Sequence, residues 1–204
     1  MRAIPSRLDV ADSPAMRILT GESKGRRLSA PRGLHTRPTL ARARTCLFDI
    51  LNPRVPGARF LDLFAGTGAI GLEALSRGAA RAVFVEQSER AARCLRRNLE
   101  ALQLGERGQL LRMAVAPALA RLTASGDQFD LVFLDPPYEA GQTTPALALI
   151  GEHAGLLAPD ALVIAQQYHK EPVAAPNFLA ELRQRRIGDT RFTFYRRSID
   201  EASS

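Results

Sequence analysis

Short apolar runs alternating with helix-length amphipathic segments organise this chain. The runs at 59–64, 81–86, 108–113 and 129–134 are rich in Leu, Val and Phe and read as buried strands. Between them lie segments with apolar residues at helical spacing, at 89–103 and 115–123, and another at 143–153 follows the fourth run. A glycine-containing loop at 65–71 leads from the first strand into a helix that ends near Gly78. A fifth strand is expected at 161–167, and two late strands, 181–187 and 191–197, flank the turn Gly188-Asp189. Ser88 is positioned to cap the 89–103 helix and Gly105 to end it. This order predicts an α/β fold: a doubly wound, mostly parallel sheet with one antiparallel strand.

The first part of the chain follows a different pattern. Two β-like runs, 17–20 and 25–29, flank a Gly- and Ser-rich turn and read as a short hairpin carrying Lys24, Arg26 and Arg27. After a loop that contains Arg37, Pro38 opens a helix to about Leu51. Leu40, Ala43, Leu47, Phe48 and Leu51 share one face of that helix, with Arg42 and Arg44 off it. The expected organisation is a disordered tail at 1–15, a hairpin and helix at 16–57, a main domain at 58–198 and a disordered tail at 199–204.

Composition narrows the function. No apolar run approaches the roughly 18 residues of a membrane span, and residues 1–15 lack the apolar segment of a secretory signal. Cys46 and Cys94 lie far apart and the three histidines do not cluster, so the chain reads as metal-free and cytoplasmic. Net charge is +7, and its distribution is uneven. Residues 17–59 carry ten basic groups against two acidic, and 181–197 carry six against two, whereas 60–180 carry ten against thirteen. Basic ends around a slightly acidic middle are the electrostatic footprint of a polyanion binder.

Three carboxylates fall at expected strand ends. Gly66-Thr-Gly68-Ala-Ile-Gly71 matches G-x-G-x-x-G, and Glu86 lies 20 residues after Gly66, placed to hold ribose hydroxyls. The same fingerprint also fits a dinucleotide dehydrogenase. Asp62 in the preceding strand would repel pyrophosphate but attract an ammonium group, such as that on the methionine part of S-adenosylmethionine. Asp135-Pro-Pro-Tyr138 follows the fourth strand, where open α/β sheets bind ligands. A planar exocyclic amine must pyramidalise to attack a methyl group. The Asp135 carboxylate and the Pro136 carbonyl, both acceptors, can hold its two N–H bonds, and Tyr138 can stack on the base.

Taken together these residues resemble a known family. Arg17-Ile18, Gly25-Arg-Arg-Leu28, Arg37-Pro-Thr39, the block from Leu61 to Ala79, Glu86, Asn98, Asp135-Pro-Pro-Tyr138 and Gly188-Asp-Thr190 are similar in kind and order to the bacterial 16S rRNA guanine-N2 methyltransferases, the RsmD-like enzymes. The resemblance implies a Rossmann-like class I methyltransferase fold, with a seven-stranded sheet and a small N-terminal hairpin-helix extension. It implies S-adenosylmethionine as donor and guanine-966 in an assembling small subunit as target; the chain itself is expected to be a monomer. Asp62, Phe64, Gly66, Gly68, Glu86 and Ala114 would then bind cofactor, and Asp135, Pro136 and Tyr138 would act at the amine. Lys24, Arg26, Arg27, Arg37, Arg42 and Arg44 would bind RNA. The chain departs from the family pattern at Ala41, Thr45, Met113 and Gln166. DNA adenine-N6 methylation, protein glutamine methylation and a non-catalytic ribosome-assembly role remain as alternatives.

Overall fold

The computed structural model describes residues 16–31, 38–137 and 141–198, without the side chains of 38–40. Arg37 and Tyr138 therefore lie outside the described residues, as do both expected tails. The elements in chain order are α1 (Pro38–Leu51), β1 (Arg59–Leu63), α2 (Ala69–Ser76), β2 (Arg81–Val85), α3 (Glu89–Leu102) and β3 (Gly108–Leu111). They continue with α4 (Val115–Ala124), β4 (Phe129–Leu134), α5 (Thr143–Glu152), β5 (Leu157–Tyr168), β6 (Leu179–Ile187) and β7 (Thr190–Arg197).

The seven strands form one sheet in the order β3-β2-β1-β4-β5-β7-β6. The pairs from β3 to β5 are parallel, while β7 runs antiparallel to both β5 and β6. The expected single antiparallel strand is thus β7. Strand order reverses at β1, which pairs with β2 on one side and β4 on the other. That switch point opens a crevice at the carboxyl ends of β1 and β4.

Two apolar cores cover the sheet. One face packs Leu47, Phe48 and Leu51 of α1, with residues of α2 and α3, against Phe60, Phe84 and Phe194. The other packs α4 and α5 against Leu61, Val83, Val132 and Val163. Central strands buried on both faces explain why their sequences read as near-continuous apolar runs. The N-terminal hairpin belongs to the first core, since Ile18 and Leu28 are buried in it. Residues 16–57 therefore share their core with the main domain.

Several boundaries differ from expectation: β3 stops at Leu111 and β6 begins at Leu179, and two further differences have a local cause. Helix α3 ends at Gln103, which takes up the left-handed conformation (φ 58°), and Gly105 does not supply the turn. Strand β5 begins at Leu157, before an irregularity in its pairing with β4. The exposed pair Pro159-Asp160 lies there and interrupts the apolar run, which is why the strand reads shorter in the sequence.

Candidate active site

The crevice at the switch point is a cleft of about 350 Å³ lined by residues that include Phe64, Glu86, Met113, Ala114, Asp135 and Pro136. These come from the carboxyl ends of four neighbouring strands, so the topology brings together five of the residues expected from sequence. A similar-sized hollow at the opposite end of the sheet is lined by Arg54, Arg59, Asp130 and Asp160. There Arg59 and Asp130 are paired with each other, and Arg54 donates to the Asp160 backbone carbonyl.

The glycine loop is shaped by backbone demands. Gly68 caps α2 in the left-handed region (φ 80°), and a Cβ there would meet Leu95 Cδ1 at 2.2 Å. Gly66 is also left-handed (φ 56°), but a Cβ there would meet nothing within 4 Å. Its open side leaves room for a ligand to approach the backbone. Phe64, at φ 61°, adopts this region without being glycine, so the chain carries local strain where β1 enters the loop.

Two carboxylates hold the loop. Glu86 Oε2 accepts from Gly66 N at 2.8 Å, and Oε1 accepts from Ser88 N at 2.6 Å. Each oxygen has a second lone pair, so these bonds aim the carboxylate and leave capacity for ribose hydroxyls. Asp62 is more enclosed than expected. Only 2% exposed, it accepts from Gly71 N at 2.9 Å through Oδ2. Burial pushes its carboxyl up to about 7, the Gly71 bond opposes this, and Asp135 and Glu86 add to the rise. Asp62 thereby ties the first turn of α2 to β1, a structural part that the sequence did not show.

Asp135 sits one residue past β4, and its N–H is 3.4 Å from Leu63 O. Its Oδ2 accepts from Gln166 Nε2 at 2.9 Å. Its Oδ1 is buried with no hydrogen-bond partner among the described residues. Burial raises this carboxyl to about 7, against a smaller lowering by Gln166. An unpaired acceptor in a protein interior costs about 1–3 kcal/mol, so it marks a place where a donor belongs. Pro136 is buried beside it and also lines the cleft. Met113 forms part of the wall, and Ala114 immediately precedes α4.

Gln166 is the residue whose role the sequence did not disclose. The pairing of Leu134 with Ala165 places Gln166 beside Asp135, and the visible trace is a pair of glutamines ending the apolar run of β5. Asn98 is a second such residue. Its Oδ1 accepts from Ser29 N at 2.7 Å, and its Nδ2 donates to Ser29 O at 3.1 Å and Thr67 O at 3.0 Å. One amide therefore joins the N-terminal hairpin to the glycine loop. The signal was a polar residue on the otherwise apolar face of α3 formed by Ala92, Leu95, Leu99 and Leu102. Glu73, fully buried, anchors the same hairpin by accepting from Leu19 N at 2.7 Å and Thr20 N at 3.0 Å.

The basic residues of the N-terminal segment divide. Lys24, Arg27 and Arg42 are exposed. Arg26 is exposed too, but its guanidinium donates to Ala101 O in the last turn of α3. Arg44 corrects the expectation that it faces solvent: it is 7% exposed and donates to Arg17 O. Burial lowers its affinity for its proton, and the neighbouring Glu73 opposes this. Arg44 fastens α1 to the hairpin and presents no free charge to RNA.

Comparison with known proteins follows the same lines. A family model described as Conserved hypothetical protein 95 matches residues 16–196. Ribosomal RNA small subunit methyltransferase D of Escherichia coli strain K12 is 34% identical over 193 residues, 94% of this chain and 94% of that protein. The chain belongs to this RsmD-like family. The solved structure of the Escherichia coli protein yhhF superposes with a TM-score of 0.79 at 34% identity, covering 90% of this RsmD-like chain and 98% of that one. A methyltransferase complexed with SAH shares the fold at 18% identity and a TM-score of 0.64, over 82% of this chain and 53% of that one. The architecture is the Rossmann-like methyltransferase fold.

Proposed function

We propose that this RsmD-like chain, acting as a monomer in the cytoplasm, methylates the exocyclic N2 of a guanine in 16S rRNA. The target is guanine-966 in a small-subunit assembly intermediate. S-adenosylmethionine-dependent methylation of ribosomal RNA follows from family membership; the base, the atom and the assembly state are the proposal. The observation that carries it is the buried, unpaired Oδ1 of Asp135 beside the cleft, an acceptor placed for an amine N–H.

The residues present fit the cofactor. The open side of Gly66 admits a ligand to the backbone, the Glu86 carboxylate is fixed with spare lone pairs, and the cleft falls within the roughly 300–1,000 Å³ of small-molecule sites. Asp62, Phe64, Gly66 and Gly68 would hold the methionine end, Glu86 the ribose, and the backbone at Ala114 the adenine. Bound there, S-adenosylmethionine supplies a methyl group made electrophilic by its sulfonium.

The chain's own work is orientation and proton handling. Asp135 Oδ1 accepts one N–H of the guanine amine, and the Pro136 carbonyl accepts the other, which favours the pyramidal geometry of attack. Tyr138 stacks on the base and offsets part of the few kcal/mol spent in extruding it. On taking the methyl group, whose bond to sulfur would break and leave the neutral thioether, the amine nitrogen would become cationic and would then release a proton. A carboxyl that titrates near 7 is matched to receive it. Orientation of this kind can contribute roughly 7–11 kcal/mol. No covalent enzyme intermediate is required.

The test is incubation of the protein with labelled S-adenosylmethionine and small subunits that lack the modification, followed by mapping of the label. Label on N2 of a single 16S guanine is the expected result. Label on DNA adenine or protein glutamine, or cofactor binding with no transfer to any of these, would overturn the proposal.

A further inference from the structure

Strand β6 forms one edge of the sheet, and its residues from Glu181 to Arg186 are all exposed. Arg183, Arg185 and Arg186 lie within that stretch. Four arginines elsewhere on the surface meet carboxylates: Arg59 with Asp130, Arg81 with Asp127, Arg107 with Glu22, Arg112 with Glu89. None of the three β6 arginines pairs with a carboxylate among the described residues. The nearby Glu181 accepts instead from Gln184.

The local arrangement concentrates this charge. Arg186 stands directly opposite Arg191 in the β6–β7 register, and like charges facing each other across a strand pair are destabilising. Arg186 spends one donor on Gly188 O. The Arg183 guanidinium lies over the Phe194 ring at 4.9 Å, which orders it without consuming its N–H donors.

Position links the edge to the site. Strand β6 is antiparallel to β7, which is antiparallel to β5, so β6 ends on the same side of the sheet as the cleft. It lies three strands from β4, roughly 14 Å at ordinary strand spacing. Arg183 and Arg185 pair with Phe194 and Phe192 and so share the sheet face that α1 covers. Helix α1 packs against β6. Arg42, exposed on α1, is thus carried by the helix that reaches the β6 edge.

We propose that the β6 edge, through Arg183 and Arg185 with Arg186 beside them, is a second contact surface for the RNA phosphate backbone. It would grip phosphates flanking the base that enters the cleft. This rests on the RNA-methylating reading of the cleft and adds a surface that the N-terminal hairpin does not provide. The recognition is by charge, so it carries no base specificity. Charged edge strands also protect sheets from edge-to-edge association, and the experiment separates the two roles.

The full-length protein is titrated against unmodified small subunits over a salt series, comparing wild type with the double variant Arg183→Gln/Arg185→Gln. A control double, Arg112→Gln/Arg121→Gln, removes the same charge from exposed positions away from β6. Each lost phosphate contact should lower the salt slope by about 1, so the β6 variant should lose one to about two units and bind roughly tenfold more weakly. The control should keep the wild-type slope. Arg183→Lys/Arg185→Lys should retain it as well, since a phosphate contact needs charge more than geometry. Cofactor affinity and melting temperature should be unchanged in all of them.

An unchanged slope in the β6 variant, with or without new aggregation, would overturn the proposal. So would an equal loss in the control. Wild-type protein that bound the subunits but left guanine unmethylated would instead defeat the proposed reaction.

Discussion

Asp135 and Gln166 set the charge state on which the chemistry depends. The acceptor role needs the carboxylate, so the rate of methyl transfer should rise with pH through about 7, the value to which burial lifts Asp135. Gln166 opposes that rise by donating to Oδ2. Gln166→Leu should therefore move the acidic limb of the pH–rate profile to higher pH and lower the rate at pH 7 about tenfold, with cofactor affinity little changed. A limb that stays in place would remove Gln166 from this role. Replacement of Asp135 by Asn should reduce turnover by at least about 10²-fold. Its effect on stability has the opposite sign. A carboxyl raised in the folded state favours folding while protonated, and that contribution is lost as pH rises through about 7. Above that pH the wild type bears a buried charge that Asp135→Asn lacks, so the variant should be more stable at pH 8 by about 1–2 kcal/mol, read by denaturant titration. The sequence announced Asp135 through the prolines behind it. It could not announce Gln166, whose partner is 31 residues away and is met only through strand pairing, nor the inward turn of Arg44, which lies beside an apolar stripe that does not dictate it.

At the scale of elements, the glycine loop and the hairpin behave as one piece because Asn98 bonds to both. Asn98→Ala removes three hydrogen bonds and strands buried backbone groups, at a cost of about 2–4 kcal/mol. Cofactor affinity should fall together with protection of residues 16–29 from hydrogen exchange. Loss of protection with unchanged cofactor affinity would show that the loop holds its shape without the hairpin. Gly68→Ala should cost a similar amount, since it places a Cβ against Leu95 in a left-handed conformation, whereas Gly66→Ala should spare stability more and weaken cofactor binding. Strands and helices were legible because their residues are buried in regular patterns. Their ends were less so: α3 stops where Gln103 tolerates a positive φ, and β5 extends back across Pro159-Asp160, and neither follows from periodicity.

At the scale of the molecule, the fold class and the order of elements could be read from the chain because the central strands β1, β2 and β4 are buried on both faces and the crossovers from β1 to β5 are helical. The unity of the structure could not. The hairpin and α1 looked like an appended unit, yet Ile18, Leu28, Leu47 and Phe48 lie in the same core as Phe60 and Phe84. A chain trimmed to residues 58–198 would expose that core and remove the hairpin groups that Glu73 and Asn98 bond to. It should fail to fold, and the intact chain should unfold in a single calorimetric transition. A separately melting N-terminal segment would contradict this.

The reversed direction of β7 has a practical consequence for handling the protein. Because it runs against its neighbours, its last residue, Arg197, lies at the end of the strands away from the cleft. Met16 lies instead against Thr67 of the glycine loop, its Sδ 3.8 Å from the hydroxyl. A fluorophore, affinity handle or surface tether joined after Arg197 would leave the reaction side clear, while the same addition immediately before Met16 would emerge beside the cofactor loop.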